Sequence, residues 1–452
     1  MSKRNIILIT IILVALVAII FGISYFKQPS TGNESSGGGL NFLSNFLPFG
    51  KSKTPTNNNN PQGPANVSGG EYSSSDQTQN GILKKVSSFP IAGFGVFQKE
   101  RYKDISSPPQ TTPPDNNTGN TPSNNKTANL GNPSSPATEF VPALRYVNRA
   151  TGNIYQTFAD KIDERRFSGT VIPKVYEAYF GNNGDSVVMR YLKDDGKTIE
   201  TFVGSLPKEV LGADTIAVND VNGSFLPENI SDISISPDAS KMFYLFNTGD
   251  SSVGVIFTFS TNGKTQIFDS PFTEWLSLWP SSNLITLTTK PSSNYPGFVY
   301  ALNTNSKNLN KILGNVNGMT TLASPNGKEL LYSDNNLSLN ILNIDTGNSI
   351  SMGINTLPEK CVWGSASDTI YCAVPKYIDR GEYPDSWYQG TTSFSDEIWK
   401  IDVATGNTTK IADPSSLAGE DVDGIKLALD NGENYLFFVN KKDSYLWELK
   451  LK

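Results

Sequence analysis

The chain contains no histidine and only two cysteines, Cys361 and Cys372, among its 452 residues. Without an imidazole there is no histidine general base, no Ser-His-Asp triad and no histidine-ligated metal. Two thiols are also too few for a zinc site built from cysteine alone. Any catalysis would therefore rely on Asp, Glu, Lys, Ser, Thr or Tyr, and the sequence favours no catalysis at all.

An excess of basic residues is missing as well. The 37 Lys and Arg stand against 43 Asp and Glu, which gives a net charge of −6. Because binding to a phosphate backbone needs a concentration of positive charge, the composition predicts that the protein does not bind nucleic acid.

Only one long apolar run is present, from Ile6 to Phe26, and it follows the basic N-terminus MSKR. Roughly 20 helical residues cross the hydrocarbon core of a bilayer. The run therefore predicts a single transmembrane helix, with residues 1–27 as the membrane anchor and residues 6–26 in contact with lipid. The alternative is a cleaved signal peptide, whose apolar region is shorter, about 7–15 residues.

The flanking charges predict the orientation of this anchor. Lys3 and Arg4 precede the run, whereas only Lys27 follows it closely. By the positive-inside rule the N-terminus is cytoplasmic and the rest of the chain lies on the extracytoplasmic side of the cell membrane.

Two segments are poor in residues that could form a core. Residues 28–80 are rich in Gly, Ser, Asn and Pro, which predicts a disordered linker. Its one apolar patch, LNFLSNFLPFG, is either a part of that linker or a short helix at the membrane surface. A second polar tract, at about residues 104–138, is predicted to be a loop inserted in the folded domain.

The remaining sequence, residues 81–452, predicts an all-β fold. Short runs rich in Val, Ile, Tyr, Phe and Thr alternate with Gly, Asn, Asp and Pro turns. Successive units start near residues 232, 275, 319 and 361, a spacing of about 42–44 residues, and a propeller blade of four strands takes about 40–45. Extending the pattern gives a seven-bladed β-propeller, although six or eight blades fit the count as well.

The C-terminal unit has only three strands. The segment GILKKVSS at residues 81–88 is a spare strand that could complete the last blade and close the ring. In CVWGSASDTIYC a tight turn places Cys361 opposite Cys372, which predicts a disulfide in an oxidising exterior, with two buried thiols as the alternative.

The turns SPDASKMFYL and SPNGKELLYS resemble the SPDG-type repeat of WD40-like propellers, the group that includes TolB and the dipeptidyl-peptidase N-terminal propeller. This resemblance implies the fold and little about function. The segments LRYVNRATGNIYQT, TLPEKCVWGSASDTIYC and YPDSWYQGTTSFSDEIWKID are similar to membrane-anchored propeller proteins of candidate-phyla (Patescibacteria-like) bacteria. That second resemblance implies no activity that could be transferred to this chain.

One long loop is unusually aromatic and is predicted to join the second and third strands of the sixth blade. Rings combined with polar groups suit protein or sugar binding. The alternative is a small core that pins the loop to its own propeller. The candidate binding residues, including Tyr295 from the corresponding loop of the fourth blade, are Arg380, Tyr383, Asp385, Trp387, Tyr388 and Tyr295.

Two short acidic strings fall in connections between blades. Asp220 and Asn222 form one pair, and Asp421 and Asp423 form the other. Closely spaced oxygens could bind Ca²⁺, but Asp and Asn before Gly are also ordinary turn formers. No other cofactor is predicted.

The sequence thus predicts a membrane-anchored propeller that binds a protein or glycan partner at the cell envelope. One alternative is a glycan hydrolase or lyase that uses a pair of carboxylates. Another is a structural subunit of an envelope assembly.

Overall fold

The computed structural model describes residues 81–103, 137–209, 211 and 219–452. The predicted membrane anchor, the linker and most of the inserted loop lie outside the described residues. Within the described part of the chain, no helix is long and apolar enough to cross a membrane.

The described residues form strands almost throughout. In chain order the first fourteen are β1 (Leu83–Lys85), β2 (Ile91–Tyr102), β3 (Thr138–Asn148), β4 (Ile154–Phe158), β5 (Arg165–Arg166), β6 (Val175–Gly181), β7 (Ser186–Leu192), β8 (Ile199–Ser205), β9 (Asn222–Phe225), β10 (Ile230–Ile235), β11 (Lys241–Thr248), β12 (Ser251–Thr258), β13 (Gly263–Ser270) and β14 (Trp275–Ser281). The others are β15 (Leu284–Thr289), β16 (Pro296–Asn303), β17 (Leu309–Asn317), β18 (Thr320–Ala323), β19 (Glu329–Ser333), β20 (Ser338–Asn343), β21 (Ser349–Asn355), β22 (Cys361–Trp363), β23 (Thr369–Pro375), β24 (Asp396–Asp402), β25 (Thr408–Ala412), β26 (Gly424–Leu429), β27 (Tyr435–Asn440) and β28 (Leu446–Lys450).

Helices are few and short in this part of the chain. They are α1 (Asp385–Tyr388), α2 (Pro414–Ala418) and a 3-10 helix at Pro358–Lys360.

The strands assemble into seven antiparallel sheets of four strands each, which confirms the predicted seven-bladed β-propeller. Blades 1 to 6 take their strands consecutively, beginning with β2–β5 and ending with β22–β25. First strands of neighbouring blades contact one another, as β2 does with β6 and β10 with β14, so the first strands lie nearest the axis.

The seventh blade closes the ring in the way that the sequence predicted, with a strand from residues 81–88. β26, β27 and β28 form its inner part, and β1 adds the outer strand by pairing Leu83 with Leu449 and Lys85 with Trp447. The two ends of the propeller are thereby joined in one sheet, and no free edge of β28 is left.

Serine side chains stabilise the turn between the first and second strands of two blades. The Ser236 hydroxyl accepts from the Lys241 amide at 2.9 Å, and the Ser324 hydroxyl accepts from the Glu329 amide at 3.0 Å. The tight turn of the second segment also requires a left-handed residue, which is Gly327 with φ 73°. This shared chemistry explains why the SPDA and SPNG strings mark equivalent hairpins.

The core consists of the layers between blades. Cys361 pairs with Cys372 across β22 and β23 and forms the predicted disulfide. Trp363 and Ile370 pack towards blade 5, whereas Tyr371 packs towards blade 7. Successive side chains of a strand point to opposite faces of its sheet, so one strand packs against both neighbouring blades.

Candidate functional site

The aromatic loop of the sixth blade lies between β23 and β24, as predicted, and it packs against its own propeller. Tyr383 and Trp387 are each only 3% exposed and form a small apolar cluster with Phe394 from the same loop. Leu337 and Leu357 complete this cluster from the fifth blade and from the connection that follows it.

Burial of these two rings decides between binding and a small core, the two interpretations of the sequence. Rings that are covered by their own domain cannot stack on a partner, so the alternative of a small core holds for Tyr383 and Trp387. The physical reason is the cost of leaving such large apolar side chains in water on a long loop.

The buried ammonium group of Lys360 anchors this loop to the propeller. Lys360 Nζ contacts Asp396 Oδ2 at 2.7 Å and also pairs with Asp423, and all three side chains are essentially inaccessible to solvent. The Trp387 indole N–H donates to Asp423 Oδ2 at 3.0 Å. We call Lys360, Asp396 and Asp423 the ion cluster.

The two carboxylates of the ion cluster differ in their surroundings. Burial raises the pKa of Asp396 to about 6 although Lys360 opposes this shift. Burial acts on Asp423 in the same direction, but Lys360 and the hydrogen bonds from Phe394 and Trp387 outweigh it and lower the pKa of Asp423.

The other candidate binding residues of this face have different surroundings. Asp385 accepts from the Ser293 amide at 2.7 Å and so ties the loop to the fourth blade. Arg380 is exposed, and Tyr295 is 72% exposed. Tyr388 is 38% exposed, and its hydroxyl donates to Glu359. A binding role for these four residues stays a prediction.

The two acidic strings have different surroundings in the described part of the chain. There, no group of three or more Cys, Asp or Glu side chains is placed to hold an ion. Asp423 is paired with Lys360, and Asp421 accepts from the Ser395 hydroxyl at 2.9 Å. Asp220 lies just before β9 and Asn222 is its first residue, and both are exposed. A calcium site at these two residues stays a prediction, whereas the ammonium group of Lys360 occupies Asp423.

A cavity of about 660 Å³ lies on the propeller axis. All seven blades contribute to its wall, and Tyr388 enters it from the aromatic loop. We call it the axial cavity, and its lining residues are Phe94, Ala178, Tyr179, Asp232, Ile233, Leu276, Ser277, Leu278, Thr288, Lys290, Pro291, Thr320, Thr321, Glu359, Tyr388, Lys426, Leu427 and Ala428.

Two carboxyl groups stand in this mostly apolar wall. Asp232 on β10 accepts from both the amide and the hydroxyl of Ser277 on β14, the latter at 2.7 Å. Burial raises the pKa of Asp232 to about 7, an effect that these hydrogen bonds oppose. Glu359 belongs to the 3-10 helix, and burial raises its pKa as well, against the hydrogen bond from Tyr388.

Sequence reasoning did not select Asp232, Glu359 or Lys426. The one available signal was the Asp in ISDISI, because a carboxylate on an innermost strand of a propeller must face either a neighbouring blade or the axis. No local sequence pattern marks Glu359 or Lys426. They lie near Asp232 only because the seven blades form a closed ring around the axis.

No protein-family model matches the chain, and a search of curated proteins gives no match either. Among solved structures, the chain is similar to an oligogalacturonate lyase in complex with manganese, with a TM-score of 0.43 and 8% identity over 69% of this chain and 85% of that one. It is also similar to an oligogalacturonate lyase from Vibrio parahaemolyticus, with a TM-score of 0.43 and 9% identity over 69% of this chain and 94% of that one. Similarity at this level carries no argument about function.

Proposed function

We propose that the protein is a binding propeller of the cell envelope and that its ligand occupies the axial cavity. The observation that carries this proposal is the cavity itself, which encloses about 660 Å³ and is lined from every blade. Ligand sites in proteins commonly have volumes of about 300–1,000 Å³, with apolar walls and a few well-placed polar groups.

The lining fits a short glycan or a short segment of a partner protein. Phe94, Tyr179 and Tyr388 supply aromatic rings, on which sugar rings or aliphatic groups can stack. Asp232 and Glu359 supply hydrogen-bond acceptors for a bound molecule. Tyr388 thus keeps the binding role predicted for it, but towards the axis.

The proposed place of the protein is the extracytoplasmic face of the cell membrane. The apolar run at residues 6–26 and its flanking charges support an anchor with the N-terminus inside. The Cys361–Cys372 disulfide fits an oxidising compartment, and the resemblance to anchored propellers of candidate-phyla bacteria agrees. Protease added to intact cells should digest the propeller, and a propeller protected from it would contradict this placement.

A cavity-filling variant tests the site. The full-length protein in detergent is screened by thermal unfolding against tetramers of glucose, glucosamine, N-acetylglucosamine and galacturonate and against a lysine tetrapeptide. We expect at least one to raise the melting temperature, and Leu276→Trp, inside the axial cavity, to abolish that shift. Leu309→Trp on the outer strand β17 of the same blade is the matched control and should keep it.

Two outcomes contradict the proposal. Either no member of the panel changes the melting temperature, or the shift survives in Leu276→Trp, whatever the Leu309→Trp control does.

A second candidate is cleavage of a glycan in the same cavity. Asp232 and Glu359 both line the cavity, from blade 3 and from the connection before blade 6, and burial raises the pKa of each. A carboxyl group with a pKa of about 7, such as Asp232, can act as a general acid near neutral pH. Mass spectrometry of the glycan tetramers after incubation with the protein tests this second candidate. Shorter products that disappear in Asp232→Asn would support cleavage, and intact tetramers would reject it.

A further inference from the structure

We propose that the ligand of the axial cavity carries a protonated amine, and that its chemical class is an amino sugar whose nitrogen is not acetylated. This inference rests on the proposed function, because it names the ligand of that same cavity. Two carboxyl groups of the cavity wall, Asp232 and Glu359, form no ion pair with any described residue.

Asp232 uses only one of its two oxygens. Both hydrogen bonds from Ser277 go to Oδ2. Among the described residues, none donates a hydrogen bond to Oδ1, and none forms an ion pair with Asp232. One oxygen of a carboxyl group in the cavity wall is therefore available to a ligand.

Glu359 is in the same situation. Its Oε1 accepts from Tyr388, and in the described part of the chain no donor reaches Oε2. The neighbouring Lys360 opposes the rise in the pKa of Glu359 electrostatically. It forms no hydrogen bond with Glu359, because its ammonium group donates to Asp396 and Asp423.

The basic groups near the cavity have other partners. Lys426 Nζ donates to the Ala92 carbonyl at 3.2 Å, and burial lowers the pKa of Lys426. Lys290 pairs with Glu274 at 3.0 Å, at the exposed end of the cavity. Arg190, behind the wall, is paired with Glu177.

A ligand that brings its own positive charge would complete this arrangement. Isolated carboxylates in an apolar wall are costly, and a cation within hydrogen-bond distance removes most of that cost. A metal ion is a poor candidate, because the described residues offer no group of three acidic ligands. An anionic ligand would add like charge to the two carboxyl groups.

The rest of the wall selects a sugar over a small amine. Phe94, Tyr179 and Tyr388 line the cavity. Aromatic side chains can stack on the carbon side of a pyranose and also attract a nearby cation. The hydroxyls of Thr288 and Thr321 lie 2.7 Å apart and can also bond to sugar hydroxyl groups.

The test compares three tetramers that differ only at carbon 2 of each sugar: glucosamine, N-acetylglucosamine and glucose in β-1,4 linkage. Calorimetric titration of the full-length protein at pH 6.5 should give at least tenfold tighter binding of the glucosamine tetramer. Two buffers of different ionisation enthalpy should reveal a change in the number of bound protons that Asp232→Asn reduces, because an ammonium group beside Asp232 lowers the raised pKa of that carboxyl group.

Variants identify the groups responsible. Asp232→Asn and Glu359→Gln keep the size of each side chain and should each reduce the preference for glucosamine at least tenfold. Glu382→Gln, on the exposed part of the aromatic loop, is the control and should leave it unchanged.

The outcomes separate the two proposals. Equal or tighter binding of the acetylated or the plain tetramer, abolished by Leu276→Trp, overturns the amine and leaves the cavity as the site. A lysine tetrapeptide that displaces the glucosamine tetramer at lower concentration overturns the assignment to a sugar. Binding that is insensitive to Leu276→Trp overturns the proposed function itself.

Discussion

Glu448 shows how much a single buried group can influence this molecule. It lies on β28, is 2% exposed, and faces the layer between the seventh and first blades. In the described chain its Oε2 has no hydrogen-bond partner. Burial raises the pKa of Glu448 to about 8, although Lys84 on the neighbouring strand opposes this.

This shift predicts a pH-dependent stability. The folded state binds a proton at Glu448 up to about pH 8, whereas the unfolded chain releases it near the ordinary value of 4.5. Since the folded state holds more protons in this window, the free energy of unfolding falls as the pH rises through it. The variant Glu448→Gln removes the ionisable group and should be more stable than the wild type by up to about 4 kcal/mol at pH 8.

Urea unfolding between pH 5 and pH 9 measures this difference. Glu382→Gln, at an exposed position, is the control and should follow the wild-type curve. Parallel curves for Glu448→Gln and the wild type would show that Glu448 is already ionised at neutral pH.

At the scale of elements, the aromatic loop depends on charges beneath it. The ion cluster contacts Trp387 directly, and Lys441 donates to the Trp387 carbonyl at 2.7 Å. Because Trp387 precedes Tyr388 in α1, the cluster also positions Tyr388 in the axial cavity. Lys360 is therefore a positioning residue of the proposed site.

The variant Lys360→Met should lower the free energy of unfolding by about 3–5 kcal/mol, because it leaves Asp396 and Asp423 buried without a cation. Lys410→Met is the matched control. Its ion pair with Glu397 is half exposed, so its loss should cost less than about 1 kcal/mol.

Chemical denaturation gives both free energies of unfolding. Hydrogen exchange at residues 376–395 should also rise in Lys360→Met but not in the control. Unchanged exchange there would show that the loop is held by its apolar cluster alone.

The elements also show where the sequence was informative. Turn strings such as SPDA and SPNG encode local hydrogen bonds, so the hairpins, the spacing of blades and the Cys361–Cys372 pairing could be predicted. Asp232, Glu359 and Tyr388 come from three distant segments. Their meeting depends on how seven blades close around an axis, which no local pattern contains.

At the scale of the whole molecule, ring closure is the decisive feature. β1 is only three residues long, yet it joins the N-terminal part of the propeller to β28. Leu83 is 2% exposed and packs in the core of the last blade, whereas its neighbour Ile82 is 52% exposed.

These neighbours form a matched pair for testing closure. Leu83→Ala should lower the free energy of unfolding by about 2–4 kcal/mol, because it leaves a cavity in the closing sheet. Ile82→Ala should change it by less than about 0.5 kcal/mol, since that side chain is largely in water. Guanidinium unfolding measures both, and equal effects would mean that β1 does not contribute to the closure.

The central claim is that the ligand binds on the propeller axis. The most direct test is hydrogen exchange of the full-length protein, measured by mass spectrometry with and without the panel tetramer that raises the melting temperature most. We predict slower exchange in β10, β14 and α1, which supply Asp232, Ser277 and Tyr388 to the cavity. Protection confined to the outer strands, or to the exposed loops around Tyr295 and Arg380, would contradict it.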